Sequence, residues 1–337
     1  MDNAARSIGR HPGQRCSRRS LLRLAACLGA APTPARAQPP WTGRPVTLVV
    51  PFAPGGVADL TARIVTQEMT RSLGQPVVVE NRPGAGGISA TGAVARAAPD
   101  GHTLLLLSNA NAISASLFRK LPYDIARDLA PIGTLGVFDL ALCVDAGSRF
   151  GALGDLVAHA KARPGRLTIG TIAIGSTQNL AAELFLQRAG LDAVIVPYKG
   201  TPAVLTALRS GEIDLAFEIL APLMPQLAAG TLRALAIGSA RRNPALPTVP
   251  TAREAGIPDY EVASWNALAA PAGTPDAIVA RLASAAQQAL ADPAIQRRLL
   301  ALGVRPQPGG PAALAVLLER ETRRWGEIIR KAGIEPQ

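Results

Sequence analysis

Short, uninterrupted apolar runs alternate with helical stretches along most of this chain, and that alternation leaves few folds open to it. The strand candidates are 46–50, 77–80, 103–107, 140–144, 167–171, 193–197, 214–218, 234–237 and 267–270. Between them, 60–73, 89–97, 154–162, 178–189, 203–210 and 222–229 carry patterns compatible with helix. Strands that are apolar on both faces suit a parallel sheet covered by helices on both sides. The βαβα order therefore predicts an α/β fold. Residues 275–332 read as almost purely helical, with a stop at Asp292-Pro293 and a loop over 303–311. A second series of strands begins around 139–148, and the chain returns from it around 261–271. This texture predicts domain one from 38–139 and 265–337 and domain two from 140–264. A cleft lined by β-to-α turns would lie between them.

Two of those turns are glycine-rich. Pro51-Phe52-Ala53-Pro54-Gly55-Gly56-Val57-Ala58-Asp59 follows the first strand and opens a helix. Backbone N–H groups at a helix start have no intrahelical acceptor, and the helix dipole adds to their attraction for an anion. Glycine lets a ligand approach the backbone closely. The second turn, 170–179, contains Gly175-Ser176-Thr177-Gln178, where a hydroxyl of Ser176 or Thr177 caps the next helix and is also a candidate ligand group. A third, Ser108-Asn109-Ala110-Asn111, adds polar groups after the strand at 103–107.

With 48% hydrophobic and 18% charged residues, the 337-residue chain has enough apolar material for a two-domain globular core. Its formal net charge of +11 is concentrated at one end. Residues 1–37 hold seven arginines and one acid, Asp2, leaving 28 basic and 23 acidic residues in the remainder. No basic block interleaved with aromatics follows, so nucleic acid is not an expected partner. The first 37 residues read as an export signal: Arg18-Arg19, an apolar stretch over 24–31, then Ala35-Arg36-Ala37 as a cleavage site. The arginine pair followed by Leu21-Leu22 fits a twin-arginine signal, and general secretion stays open beside it. Cys27 ends a lipobox-like Leu24-Ala25-Ala26-Cys27, with almost no apolar run ahead of it. Cys143 alone follows the cleavage site, within a strand-like run, and reads as a core residue. No later stretch reaches about 18 uninterrupted apolar residues, so no membrane span is expected in the processed chain.

Catalytic signatures are missing from the sequence. There is no Gly-x-Ser-x-Gly, P-loop, His-Glu-x-x-His or Cys-x-x-Cys. His102 and His159 fall on opposite sides of the domain boundary, without a carboxylate or thiol at metal-ligand spacing. Gly84-Ala85-Gly86-Gly87 imitates a dinucleotide fingerprint, but Asn81-Arg82-Pro83 separates it from the strand. Neither an enzyme nor a cofactor is expected. An enzyme that holds a small anion with these same turns remains the alternative, weakened by the lack of a nucleophile–base pair.

Several ordered blocks resemble the Bug family of periplasmic solute-binding proteins. They are residues 46–59 and 73–87, Ala98-Pro99-Asp100-Gly101-His102-Thr103-Leu104, Lys120-Leu121-Pro122-Tyr123-Asp124, Val196-Pro197-Tyr198-Lys199-Gly200, Leu246-Pro247-Thr248-Val249-Pro250-Thr251, Ser264-Trp265 and Ala270-Pro271-Ala272-Gly273-Thr274-Pro275. The resemblance implies a two-domain, type II Venus-flytrap binding protein with two crossing strands and a helical C-terminal tail. Its members capture a carboxylate for a tripartite tricarboxylate transporter, or serve a membrane sensor such as a sensor kinase, and a monomer is expected. Carried onto this sequence, Phe52, Pro54, Gly55, Gly56 and Asp59 form one jaw, and Gly175, Ser176, Thr177 and Gln178 the other. Ser108 and Asn109 lie nearby. Asp59 is expected to hold its loop instead of touching an anion, since like charges repel. Val57, Ile174 and Ile219 stand where family members often carry polar or small residues, and Asn179 where they often have His. These departures suggest a ligand with one carboxylate and an apolar or aromatic body. Glu218 either receives an amine or ring N–H or is simply solvated.

Overall fold

The computed structural model describes Trp41, residues 43–84 and residues 87–336. By its contacts the chain separates into residues 1–41 and 42–337. Trp41 is the one described residue of the first unit, and the architecture is that of the second. The expected export signal, its cleavage after Ala37, and Cys16 and Cys27 all lie outside the described residues.

Ten strands form a mixed sheet in two halves. In the first half, β1 (Val46–Val50) lies between β2 (Val77–Asn81) and β3 (Thr103–Ser108), all parallel. Helices α1 (Val57–Leu73), α2 (Ile88–Ala95) and α3 (Asn109–Leu117) follow these strands in turn. In the second half, β5 (Thr168–Ile172) pairs in parallel with β6 (Val194–Tyr198) and β7 (Leu215–Ile219). Here α4 (Leu153–Ala162) leads into β5, α5 (Thr177–Ala189) follows it, and α6 (Thr201–Ser210) follows β6. A 3-10 turn at Ala221–Leu223 and the short α7 (Met224–Ala228) lead to β8 (Leu232–Ile237).

The halves share one long strand, β4 (Leu129–Asp145). Its residues up to Asp139 pair with β9 (Ala263–Pro271), and those from Leu140 onward pair with β7 and β8. The chain returns at the same level: Val262 N–H donates to Gly238 O at 2.7 Å, and Ala263 pairs with Asp139. The change of strand series expected near 139–148 and 261–271 corresponds to these two crossings.

Three elements depart from the sequence expectation. β4 begins eleven residues earlier than residue 140, through Pro131, Gly133 and Gly136, which break the local strand pattern. Gly133 is required there, because a Cβ would overlap the Gly309 carbonyl. The expected loop at 303–311 contains β10 (Val304–Gly309), antiparallel to β4. Pro306 and Pro308 disguise it, and such prolines are tolerated on an edge strand. The third is α3, whose Asn-Ala-Asn opening reads as a turn. The tail otherwise consists of α8 (Asp276–Ala291), α9 (Pro293–Ala301) and α10 (Pro311–Lys331), with Asp292 capping α9 at Ala294 N–H.

Leu104, Leu105, Leu106 and Leu107 are all fully buried, which requires cover on both faces of β3. One apolar cluster runs from Leu105 and Leu107 through Ile113 of α3 and Trp325 of α10 to Phe185 of α5 and Phe217 of β7. The core is thus continuous across the crossing. Cys143 is buried and unbonded in a second cluster against α6, as its sequence context suggested.

Candidate functional site

Four strand ends converge where β4 changes sheets. β3 and β4 are both antiparallel to β9, so they run in the same direction, and β4 leaves the first half beyond the C-terminal end of β3. It enters the second half with Leu140 opposite Ile219, the last residue of β7. The C-terminal ends of β1 and β3 therefore face the same crossing as those of β5 and β7. In open α/β sheets, ligands bind at the turns beyond such ends.

The first turn is held open by its own acid. Gly55 adopts φ +85° and donates its N–H to Asp59 Oδ2 at 2.9 Å. Asp59 is almost fully buried and also accepts from Arg63 Nε at 3.0 Å and Asn81 Nδ2 at 2.8 Å. Asn81 in turn donates to the Phe52 carbonyl at 3.1 Å. Burial alone would raise the Asp59 pKa, but the hydrogen bonds from Arg63, Gly55 and Asn81 outweigh it and hold the carboxyl below its ordinary value. Asp59 is engaged within the loop. The N–H groups of Gly56, Val57 and Ala58 begin α1 and have no acceptor inside the helix. Pro54, Gly55 and Gly56 are exposed, and Phe52 and Val57 are half-buried.

The second turn repeats this construction. Gly175 adopts φ +76° and donates its N–H to Asn179 Oδ1 at 3.0 Å. Ser176 caps α5, its Oγ accepting from Asn179 N–H at 3.1 Å. Thr177 is the first residue of α5 and is half-buried, while Ile174, at the tip, is exposed. Gly55-Gly56-Val57-Ala58-Asp59 and Gly175-Ser176-Thr177-Gln178-Asn179 are therefore one device built twice. In each, a left-handed glycine is tied to the side chain four residues on, ahead of a helix N-terminus. The shared Gly-x-x-x-Asp/Asn spacing carries this signal in the sequence, and the sequence reading passed over it.

Ser108 and Asn109 lie deeper. Ser108 caps α3, accepting from Ala110 N–H at 3.2 Å, and Asn111 Oδ1 returns a bond to Ser108 N–H at 3.0 Å. Asn109 donates to the Ala263 carbonyl at 3.1 Å, and its Oδ1 is buried without a protein partner. Asn266, paired with Ser108 in the β3–β9 register, is fully buried with both amide atoms lacking protein partners. It too escaped the sequence reading.

Glu218 is the penultimate residue of β7 and is fully buried. Its Oε2 accepts from Thr201 Oγ1 at 2.9 Å and from Gln178 Nε2 at 3.3 Å. The expectation of a solvated carboxyl is corrected: the starts of α5 and α6 close over it. Burial pushes its pKa from 4.5 up to about 7, against those two bonds and one from the backbone of Ile219. A carboxyl with a raised folded-state pKa stabilises the fold fully below its unfolded pKa, and that stability is lost as pH rises through about 7. Glu218→Gln, which stays neutral, should be more stable than the wild type at pH 8 by roughly 2–3 kcal/mol and nearly equal at pH 4. Urea unfolding at the two pH values checks this; an equal difference at both would contradict it.

A cavity of about 1070 Å³ lies elsewhere, between residues 118–131 and α10. Its charges are mutually satisfied, Arg127 with Asp124 and Arg323 with Glu319, so it presents no convergent group for an anion. His102 sits in its turn beside the Pro45 carbonyl, and His159 bonds Arg149 on an exposed helix. Among the described residues, no cluster of metal-ligating side chains occurs, and no helix is long and apolar enough to cross a membrane.

The family model described as "Tripartite tricarboxylate transporter family receptor" matches residues 61–334. BugT of Bordetella pertussis is 36% identical over 324 residues, covering 93% of this chain and 98% of BugT. The structure of the periplasmic binding protein BugD superposes with a TM-score of 0.75 at 32% identity, over 88% of this chain and 100% of that one. A Rhodopseudomonas palustris structure with adipate gives a TM-score of 0.77 at 36% identity, over 88% of this chain and 100% of the other.

Proposed function

Because the chain belongs to the tripartite tricarboxylate transporter family of receptors, we propose that it captures a small carboxylate between its two glycine turns and delivers it to a membrane transporter of that type. The family is one of periplasmic solute receptors, not of enzymes, and its fold is the two-domain binding-protein fold. In this reading the two sheet halves are the two domains, with boundaries at the β4 and β9 crossings, and they close on the ligand. In the same reading residues 1–37 are an export signal, twin-arginine-like with general secretion as the alternative, cleaved after Ala37.

The observation that carries the reading is the duplicated turn. Two helix N-termini, one from each half, face one crossing with their first N–H groups unclaimed by the helix. Ser176 and Thr177 add hydroxyls to the second jaw. Val57, Ile174 and Ile219 give the space between an apolar lining, which favours a carboxylate with an apolar or aromatic body. The relative with adipate, a dicarboxylate with a hydrocarbon body, is in keeping with the apolar body but not with a single carboxylate.

A thermal-shift screen against citrate, malate, adipate and benzoate tests the proposal. A ligand that binds only the native state raises the midpoint. Adipate or benzoate should give the largest shift, with a smaller radius of gyration by X-ray scattering in its presence. A larger shift with citrate would remove the apolar-body reading, and no shift with any of the four would remove carboxylate capture.

A further inference from the structure

We propose that Glu218 is the charge selector of this site: it admits an anion at the second turn as the neutral acid, so that wherever Glu218 is ionised in the empty site a captured carboxylate brings a proton from solvent into the protein. The inference rests on the capture reading and adds a specificity determinant to it. Glu218 Oε2 accepts from Thr201 Oγ1 and Gln178 Nε2, with the backbone of Ile219 also close to the carboxylate, while Oε1 is buried with no hydrogen-bond partner. An ionised carboxylate spreads its charge over both oxygens, so ionisation would leave one charged oxygen unsolvated in the interior. A proton on Oε1 removes that charge and disturbs neither existing bond.

Nothing packed around Glu218 offers a counter-charge. Opposite it, β4 contributes Ala141 and, two pairs along the strand, the thiol of Cys143, itself pushed up by burial and by Glu218. β5 contributes Gly170 beside Ala216, α5 contributes Gln178, and α6 contributes Thr201. Lys199, on the loop ahead of α6, is exposed. The burial that lifts the Glu218 pKa to about 7 agrees with this environment.

Gln178 links the two anions. Its backbone N–H belongs to the first turn of α5, where the ligand carboxylate would sit, and its side chain binds Glu218. A single residue therefore separates the captured negative charge from Glu218, in an interior that screens poorly. The anion favours protonation of Glu218, and by reciprocity protonation favours the anion.

The test is calorimetry of malate, adipate and benzoate at about pH 6.5 and about pH 8.5, each in two buffers of different ionisation enthalpy, with protons taken up per ligand read from the difference. The tightest probe should bind about tenfold more weakly at the higher pH, with uptake approaching one proton. Glu218→Gln should show no pH slope and no uptake. The proton count on the wild type decides even if that variant folds poorly. Binding without proton uptake by the wild type, or uptake that persists in Glu218→Gln, overturns the inference and leaves capture standing. No binding by any probe at either pH overturns capture, and the inference with it.

Discussion

Replacing Arg305 with alanine should lower the unfolding free energy by about 3–5 kcal/mol, the cost of leaving a buried charge without its partner. The charge is Asp139, fully buried at the residue where β4 passes from one sheet half to the other. Its Oδ1 accepts from Arg305 Nη2 at 2.7 Å, and its Oδ2 from Asn243 Nδ2 at 2.8 Å. Arg305 comes from β10 in the first half, and Asn243 from the loop after β8 in the second. The Asp139 carbonyl also accepts from Leu220 N–H at 2.8 Å, just past the end of β7. One carboxylate thus ties both halves to the crossing strand. Urea unfolding of Arg305→Ala, Asp139→Leu and the double variant Asp139→Leu/Arg305→Leu checks this. The double variant should lose less than Arg305→Ala, because it buries no unpaired charge. A loss below about 1 kcal/mol for Arg305→Ala would mean that solvent screens the pair as it screens a surface one.

Gly175→Ala should be the most damaging small change in either turn. Gly175 and Gly55 share a left-handed φ, so alanine strains both by about 1–2 kcal/mol. They differ in their surroundings. A Cβ at Gly55 meets nothing within 4 Å, whereas one at Gly175 overlaps Leu117 Cδ2 of α3. Overpacking adds about 1–3 kcal/mol. Gly175→Ala should therefore lose about 2–5 kcal/mol in total and carry Ser176 and Gln178 out of position. Leu117→Ala in the same chain should recover part of that loss. Equal losses for Gly55→Ala and Gly175→Ala, measured by thermal unfolding, would remove the Leu117 contact from the account.

The inner parallel strands β1, β3 and β7 were legible in the sequence because they are largely buried and read as unbroken apolar runs, and the edge strands β2 and β6 kept the apolar pattern although they are partly exposed. The crossing was legible too, as a change of texture at Asp139 and Glu261. What escaped was set by tertiary contact. The first part of β4 is written in Pro131, Gly133 and Gly136 because β10 presses against it, and local propensity argues against a strand there. β10 is proline-rich because an edge strand need not donate every N–H. α3 hides in Asn109-Ala110-Asn111, whose polar side chains serve a cap and a bond to Ala263. Both glycine turns were visible as strand-to-helix turns. That Asp59 holds its own loop was anticipated; that Asn179 does the same for the second turn was not, since it looks like an ordinary helix residue until it is seen bonded to Gly175 four positions earlier. Glu218 was visible only as a departure in a motif; its burial depends on α5 and α6 closing over it.

The central claim is that one carboxylate is held by both turns. Calorimetric titration of the tightest-binding probe among adipate, malate, citrate and benzoate into the wild type, Asp59→Ala and Ser176→Ala/Thr177→Ala tests it most directly, with each variant first shown to be folded. Each variant should weaken binding by about tenfold or more, Ser176→Ala/Thr177→Ala by removing hydroxyl hydrogen bonds to a charged group and Asp59→Ala by releasing the turn that positions the N–H groups of Gly56, Val57 and Ala58. Affinity that falls with one turn altered and is untouched with the other altered would contradict the two-jaw site.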